Sequence, residues 1–208
     1  KVQCMMKSYM QSKMQNKTRI IIMAAGNSSR LGRPKQLLKY KDATLLKNTI
    51  SEALKVENAF VIVVTGSNNN LIEKDLDAVE TIISYNAQWG NGMGTSIAHG
   101  ISKLLSLNPD CEKCILAVCD QPYVTKSVFE NLIQESELKE KGIAASAYSD
   151  TLGTPVLFHK KYFSELLELK GKEGAKKIIA KYAEDVISVS FEKGNIDIDT
   201  EEDYLQIE

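Results

Sequence analysis

The chain has 208 residues, 43% of them hydrophobic and 25% charged, with a formal net charge of −1. That composition suits a folded globular protein and excludes collagen-like or disordered chains, and the length fills one core with little left for a second full domain. Near neutrality gives no global field that would hold nucleic acid or an anionic membrane, so any anion site has to be built locally.

The opening residues, KVQCMMKSYMQSKMQNK, lack the continuous apolar middle of a signal peptide, and no stretch approaches the roughly 18–20 apolar residues that cross a bilayer. A cytoplasmic protein is expected. Residues 1–17 read as an N-terminal extension of weak amphipathic character, and 18–208 as a single domain. The cysteines, Cys4, Cys111, Cys114 and Cys119, are too few and too unevenly placed for a disulfide framework and are expected as reduced thiols.

From Arg19 onward, short β-branched runs alternate with segments of helical period. RIIIMA, AFVIVV and TIISY are separated by ATLLKNTISEALK and NNLIEKDL; GTSIAHGISKLL, CILAVC, TKSVFENLIQESEL and IAASAY follow. Such alternation predicts a three-layer α/β sandwich with a mainly parallel, Rossmann-like sheet. RIIIMA, AFVIVV and CILAVC are nearly uniformly apolar rather than apolar at every second residue, which predicts central strands covered on both faces. After residue 150 the alternation loosens into GTPVLFHKKYFSELLEL, KGKEGAKKIIAKYA, VISVSF and NIDIDTEEDYLQIE, read as further strands and helices of the same sheet.

Directly after the first predicted strand comes AAGNSSRLGRPK, Ala24 to Lys35. In open α/β sheets ligands sit beyond the carboxyl ends of the strands, so this loop is well placed for a site. Gly26 and Gly32 let backbone N–H groups approach an anion, while Arg30 and Lys35 add full charges on a loop restricted by Pro34; a polyphosphate is the natural guest. Neither the Walker spacing nor G-x-G-x-x-G fits these residues. The stretch resembles the signature A-A-G-x-S-x-R-[ML]-G-x-P-K of the nucleotidyltransferases that activate molybdenum cofactor, the MobA-like superfamily. It is more similar to the cytidylyltransferase branch than to the guanylyltransferases, whose loop reads A-G-G and carries Asp before the lysine.

The resemblance implies a fold of the nucleotide-diphospho-sugar transferase type and nucleotide contacts from Ala24, Ala25, Gly26, Ser28, Ser29, Arg30, Gly32 and Lys35, with Lys35 and Arg30 as catalytic cations. Further along, CILAVCDQPYVT ends a buried strand with Asp120, which could hold a hard cation or simply cap the turn before Pro122. The resemblance makes Asp120 a metal aspartate. Asp197 and Asp199 lie two apart in NIDIDT, so on an extended segment they share a face and call for a cation between them. Thr200 and Asp203 are spaced to cap the next helix. The segment is similar to the family's D-x-D-T-P-E-D, with Glu201 in the place of proline, and this implies Mg2+ held by Asp120, Asp197 and Asp199.

YNAQWGNGMGTSIAHG fails the dinucleotide-loop test because Thr95 follows Gly94. In the resembled family such a loop lies over the nucleoside, which implies roles for Gly92, Met93, Gly94, Thr95 and Ser96; the last two are also candidates to cap the helix. GTPVLF resembles the family's G-x-P-x-x-F near the acceptor, implying acceptor contacts from Gly153 and Pro155, together with Gln121; a turn feeding an added strand is the plain alternative. His99 and His159 are isolated, and G-x-S-x-G, H-E-x-x-H and the kinase signatures are absent.

The implied reaction is transfer of CMP from CTP to the terminal phosphate of molybdopterin bearing molybdenum, releasing pyrophosphate. Guanylyl transfer, or nucleotidyl transfer to another small phosphorylated acceptor, is the alternative on the same scaffold, and a non-catalytic nucleotide sensor or cofactor carrier is the alternative of another class. A molybdoenzyme or its chaperone would receive the product; neither nucleic acid nor membrane is expected as a partner.

Overall fold

The computed structural model describes residues 18–207, so the extension read over residues 1–17 lies outside the described residues. In chain order the strands are β1 (Thr18–Ala24), β2 (Lys39–Tyr40), β3 (Ala43–Thr44), β4 (Ala59–Thr65), β5 (Ile82–Tyr85), β6 (Lys113–Val118), β7 (Ile143–Tyr148), β8 (Thr151–His159) and β9 (Val186–Ser190). The α-helices are α1 (Leu45–Leu54), α2 (Asn69–Asp75), α3 (Met93–Leu107), α4 (Lys126–Leu138), α5 (Phe163–Leu167), α6 (Ala175–Lys181) and α7 (Glu201–Leu205). No helix among the described residues is long and apolar enough to cross a membrane.

Seven strands form one sheet in the order β5-β4-β1-β6-β8-β7-β9. The three uniformly apolar runs lie side by side as β4, β1 and β6, all parallel, with Ile20 opposite both Val61 and Ile115. Their apolarity has a direct cause: both faces of the sheet are covered. Ile20, Ile22, Val61, Val63, Ile115 and Ala117 pack under α1, α2 and α4, whereas Ile21, Met23, Ile62, Val64 and Leu116 pack under α3, α5 and α6. Alternate residues of β1 therefore enter opposite cores, and Ile20, Ile21 and Ile22 are all 0% exposed.

The helices follow the same logic. In α1 the Thr44 side chain accepts a hydrogen bond from Lys47 N at 3.2 Å, capping the helix, and Leu45, Leu46, Thr49, Ile50 and Ala53 form its buried stripe. Helix α3 buries Ile97, Gly100, Ile101 and Leu104. A Cβ on Gly100 would stand 2.8 Å from Ile21 Cγ2 and 3.1 Å from Val64 Cγ2, so the bare glycine sets how closely α3 approaches β1 and β4.

One strand departs from the parallel pattern. β8 runs antiparallel to both β6 and β7, while β7 pairs parallel with β9. Ser149 and Asp150, at φ 47° and 58°, form the tight link that reverses β7 into β8. On the other side, β1 leads to β4 and β5, and the chain then returns past β1 to lay down β6. The carboxyl ends of β1 and β6 therefore flank the point where the winding changes direction, the place where such sheets open a crevice.

Replacing Gly100 by valine is expected to destabilise the fold by about 1–3 kcal/mol through overpacking against Ile21 and Val64. A lowered urea midpoint checks this; an unchanged midpoint would show that α3 can move away from the sheet freely.

Candidate active site

The loop after β1 carries an exposed rim made of Gly26, Ser29, Arg30 and Gly32 on a buried footing made of Ala24, Ala25, Leu31 and Gln36. Ser28 (φ 54°) and Gly32 (φ 72°) take the left-handed conformation that folds it. Gly26 is not at positive φ, and there is open space around it, with nothing within 4 Å of where a Cβ would stand. The N–H groups of Leu31 and Gly32 both donate to Ser28 O at 3.1 Å, and Lys35 N donates to Ser28 Oγ at 3.0 Å. Gln36 was not among the residues read from sequence. It is 1% exposed, and its Nε2 donates to the carbonyls of Ala24 and Gly26 at 2.9 Å each, tying the loop to the end of its strand.

Lys35 points from this loop into a group of carboxylates. Its Nζ donates to Asp120 Oδ2 at 2.5 Å and to Asp199 Oδ1 at 2.8 Å, while Arg30 donates to Asp199 Oδ2 at 2.7 Å. Burial acts to lower the Lys35 pKa, but the charges and hydrogen bonds of the two aspartates outweigh it and hold the ammonium above the usual lysine range. For Asp199 burial acts upward and is outweighed by Lys35 and Arg30, which keep its carboxyl below the ordinary aspartate value.

Asp197 sits differently. It makes no ion pair among the described residues, and partial burial, followed by the charges of Asp120 and Asp199, pushes it up to about 6. The backbone explains the convergence: Ile198 N donates to Asp120 O at 3.0 Å, and the Ile198 side chain is 0% exposed among Leu31, Leu38, Tyr40, Leu45 and Tyr204. With Ile198 turned inward, Asp197 and Asp199 flank it at the end of β6, as the two-residue spacing predicts. Thr200 and Asp203 form the expected reciprocal cap of α7, Thr200 Oγ1 accepting from Asp203 N at 3.2 Å and Asp203 Oδ2 from Thr200 N at 2.8 Å.

Among the described residues no group of three or more His, Cys, Asp or Glu side chains is arranged to hold a metal ion by itself. A three-aspartate cage is therefore not preformed, because Asp120 is paired with Lys35 and Asp199 with both Lys35 and Arg30. Mg2+ needs no such cage: it takes one or two carboxylates and completes its shell with phosphate and water. Asp120 together with the unpaired, upward-shifted Asp197 is a donor set whose repulsion a divalent cation would relieve.

The predicted nucleoside loop closes the other end of the crevice. Asn86, 3% exposed after β5, donates through Nδ2 to Thr95 Oγ1 at 3.2 Å and to Ser96 Oγ at 3.1 Å. Thr95 Oγ1 in turn donates to Gly92 O at 2.9 Å and Gln88 O at 3.0 Å. Thr95 and Ser96 do not cap α3, contrary to their candidacy from sequence; Gly92 is the N-cap residue, with no side-chain cap bond, and the hydroxyls brace the loop instead. Met93 is exposed and Gly94 buried. At Gly92 (φ 110°) a side chain would overlap the backbone of Gly171, and Gly94 N donates to Gly171 O at 3.0 Å. Gly66, after β4, admits Ala25 O and Trp89 Cβ to within 2.6 Å of its missing Cβ. Gly66, Gly171, Asn86 and Trp89 escaped the sequence reading, since their meaning lies in contacts with distant loops.

Gln121 follows Asp120 at 1% exposure, its Nε2 donating to Gly194 O at 2.7 Å and its Oε1 buried without a hydrogen-bond partner. Gly153 and Pro155 lie buried in β8, the Thr154–Pro155 bond being cis, and Ser146 Oγ donates to Pro155 O at 2.7 Å. The plain reading of GTPVLF as an added strand therefore holds, and Gly153 also faces the site through Tyr148. His99 bonds to Ser84 at 2.8 Å and His159 pairs with Glu112 at 3.6 Å. Cys111, Cys114 and Cys119 are free and buried, and burial pushes the Cys119 thiol up to about 12.

A cationic loop facing carboxylates at the winding switch of a mainly parallel sheet lies where such sheets bind ligands, and its charge suits a polyphosphate. The MobA-like NTP transferase domain matches residues 20–186, and the chain belongs to that family. It is similar to the molybdenum cofactor cytidylyltransferase of Escherichia coli (strain K12), with 26% identity over 89% of this chain and 92% of that protein. Among solved structures it is similar to Rv0371c from Mycobacterium tuberculosis H37Rv, at 26% identity and a TM-score of 0.78, covering 92% of this chain and 96% of that one. The same protein has been solved in complex with manganese. Molybdopterin-guanine dinucleotide biosynthesis protein A from Archaeoglobus fulgidus shares the fold at 16% identity and a TM-score of 0.67, covering 92% of this chain and 97% of that one.

Gly92→Ala is expected to cost about 1–3 kcal/mol in stability, because it combines a glycine-only φ with overlap on Gly171. Thermal unfolding measures it, and an unchanged midpoint would show that the two loops are not held in contact.

Proposed function

We propose that this nucleotidyltransferase transfers CMP from CTP to the terminal phosphate of molybdenum cofactor, releasing pyrophosphate. The observation that carries the reading is the placement of Lys35, from the loop after β1, between Asp120 and Asp199 at 2.5 Å and 2.8 Å. It supports a site where a polyphosphate, fixed cations and carboxylates meet. The Ala24-Ala25-Gly26 loop with Pro34-Lys35, and the similarity to the Escherichia coli cytidylyltransferase, favour CTP over GTP and molybdopterin as the acceptor. A molybdoenzyme or its chaperone would receive the product.

The acceptor phosphate is a monoester whose second pKa lies near 6, so at neutral pH it is largely a dianion and needs no general base. An oxygen of that dianion attacks the α-phosphorus of CTP, forming the new P–O–P bridge as the bond from the α-phosphorus to the β-phosphate oxygen breaks. Pyrophosphate leaves with the electron pair. Arg30 and Lys35, held together beside Asp199, would stabilise the charge that accumulates on the departing phosphates, and with the positioning by the loop that is the chain's contribution to the rate. Asp120 and Asp197 would hold Mg2+, which when bound neutralises phosphate charge as a Lewis acid. The manganese complex of Rv0371c supports a divalent cation in this family. Asp199 keeps Arg30 and Lys35 aimed at the same place.

Pyrophosphate release with each of the four NTPs, with and without molybdenum-loaded molybdopterin, tests the proposal. The expected result is release that requires both CTP and the acceptor; acceptor-dependent release with GTP alone would contradict the cytidylyl assignment. Lys35→Ala is expected to weaken CTP binding and lower the rate together, at least tenfold in kcat/KM, about 1.4 kcal/mol. Asp120→Ala is expected to abolish turnover while leaving CTP binding measurable by calorimetry, and wild-type turnover in that variant would remove the carboxylate from the mechanism.

A further inference from the structure

The loop after β1 does not offer all of its backbone donors to a ligand. The N–H groups of Leu31 and Gly32 turn inward onto Ser28 O, and that of Lys35 onto Ser28 Oγ. Asn27 N, by contrast, donates to no group among the described residues, and Asn27 is exposed. Asn27 stands at an open position of the family signature, and Gln36 lies one residue beyond its end.

Gln36 decides which way the Asn27 N–H points. It sits in the middle of the short 3-10 turn Lys35–Leu37, where Leu37 N donates to Pro34 O and Leu38 N to Lys35 O at 3.1 Å each, and its side chain runs beneath the loop at 1% exposure. The amide has to present its nitrogen to the loop, because only an NH2 group can serve two carbonyls at once: Nε2 reaches Ala24 O and Gly26 O at 2.9 Å each. Oε1 is left buried without a hydrogen-bond partner. An apolar side chain of that size would fill the space without stranding an oxygen, so what distinguishes glutamine here is the pair of bonds to the loop. The bond to Ala24 O, at the last residue of β1, refers the loop peptide to the rigid sheet.

The Gly26–Asn27 peptide is trans, so with Gly26 O directed inward at Gln36 the Asn27 N–H is directed the opposite way, toward the exposed rim. Gly26 itself does not fix that orientation. Open space surrounds it, with nothing within 4 Å of where a Cβ would stand, and glycine tolerates either orientation of the peptide that follows it. Turned over, the same peptide would set a carbonyl oxygen where the donor stood, and a polyphosphate would meet the negative end of the dipole in place of the positive one.

We infer that Gln36 is a positioning residue for the nucleotide: by holding Gly26 O inward it presents the Asn27 N–H to the triphosphate. The inference deepens the nucleotidyl-transfer reading and rests on one part of it, that the polyphosphate lies against this loop. Gln36 touches no phosphate; it sets the sign of the dipole that the phosphate meets. Lys35 is its neighbour in the same turn, so a backbone donor and an ammonium are placed by one short element.

The test reads binding first. The 15N-labelled full chain is titrated with α,β-methylene-CTP and Mg2+, and separately with cytidine, which carries no phosphate, both followed by NMR. In the wild-type chain the Asn27 amide proton is expected to move downfield as the analogue binds and to stay in place with cytidine. Gln36→Met keeps the length of the side chain and removes the donor; it is expected to weaken the analogue roughly tenfold or more, to leave cytidine within about twofold, and to abolish the Asn27 response. Wild-type affinity for the analogue in Gln36→Met, or a parallel loss of analogue and cytidine, would overturn the inference. So would a wild-type Asn27 amide that stays still while other loop amides respond, whether or not the variant folds. If no loop amide responds, the phosphate placement itself fails and the inference fails with it. The reaction is judged separately. Acceptor-dependent pyrophosphate release from CTP that Gln36→Met carries out at wild-type kcat/KM would sink the inference and spare the reaction, whereas a Gln36-dependent Asn27 response in a chain that releases no pyrophosphate from any NTP would fault the reaction and leave the positioning role standing.

Discussion

The ammonium of Lys35, held between Asp120 and Asp199, joins three parts of the chain that are far apart in sequence: the loop after β1, the end of β6 and the C-terminal segment. Each of those parts would be poorly placed alone. The loop has an exposed rim, the segment around Asp197 has no ladder of its own, and three carboxylates at one sheet edge repel one another. The lysine and Arg30 offset that repulsion, and the small apolar cluster around Ile198 fixes the distance at which they do so. Around it, Arg33 pairs with Glu201 at 2.6 Å and lies over the Tyr204 ring, while Tyr204 Oη donates to Lys39 O at 2.8 Å. The last helix is thereby strapped onto the phosphate loop. The contacts that gather the charges of the candidate site also hold these segments together.

That arrangement also explains why so few residues are chemically specialised. The central strands are uniformly apolar because they lie between two helix layers, and their only freedom to vary lies beyond the carboxyl ends. The loops after β1, β4, β5 and β6 all open there, with β1 and β6 at the reversal of winding. Charge is concentrated at that edge: a chain with a net charge of −1 still brings Arg30 and Lys35 against Asp120 and Asp199.

Much of this was legible in the sequence. The β-branched runs name the strands, and the choice of RIIIMA, AFVIVV and CILAVC as central follows from physics that the sheet order repeats. The direction of β8 was not legible, because an apolar strand reads the same either way along the sheet; only the Ser149-Asp150 reversal decides it. In the site, Lys35 and Asp120 announce themselves as charge at strand ends. Gln36, Gly66, Asn86, Tyr148 and Gly171 do not, because each acts through a contact with a distant segment, as when Gly171 meets Gly92 or Tyr148 fills the space left by Gly153 and Gly194. Such roles are packing relations, and a linear pattern carries no record of them. Of the two loop glycines named from sequence, Gly32 takes the left-handed conformation and Gly26 does not; the other bend falls on Ser28, which no glycine rule could point to.

The central claim is that the loop from Gly26 to Lys35 receives the triphosphate opposite carboxylates that hold a divalent cation. A crystal structure of the full chain with α,β-methylene-CTP and Mn2+, phased to show the metal by its anomalous signal, tests it most directly. The account predicts phosphate density against the loop and Lys35, with the anomalous peak at Asp120 and Asp197. Phosphates bound away from the loop, or a metal peak remote from both aspartates, would contradict it.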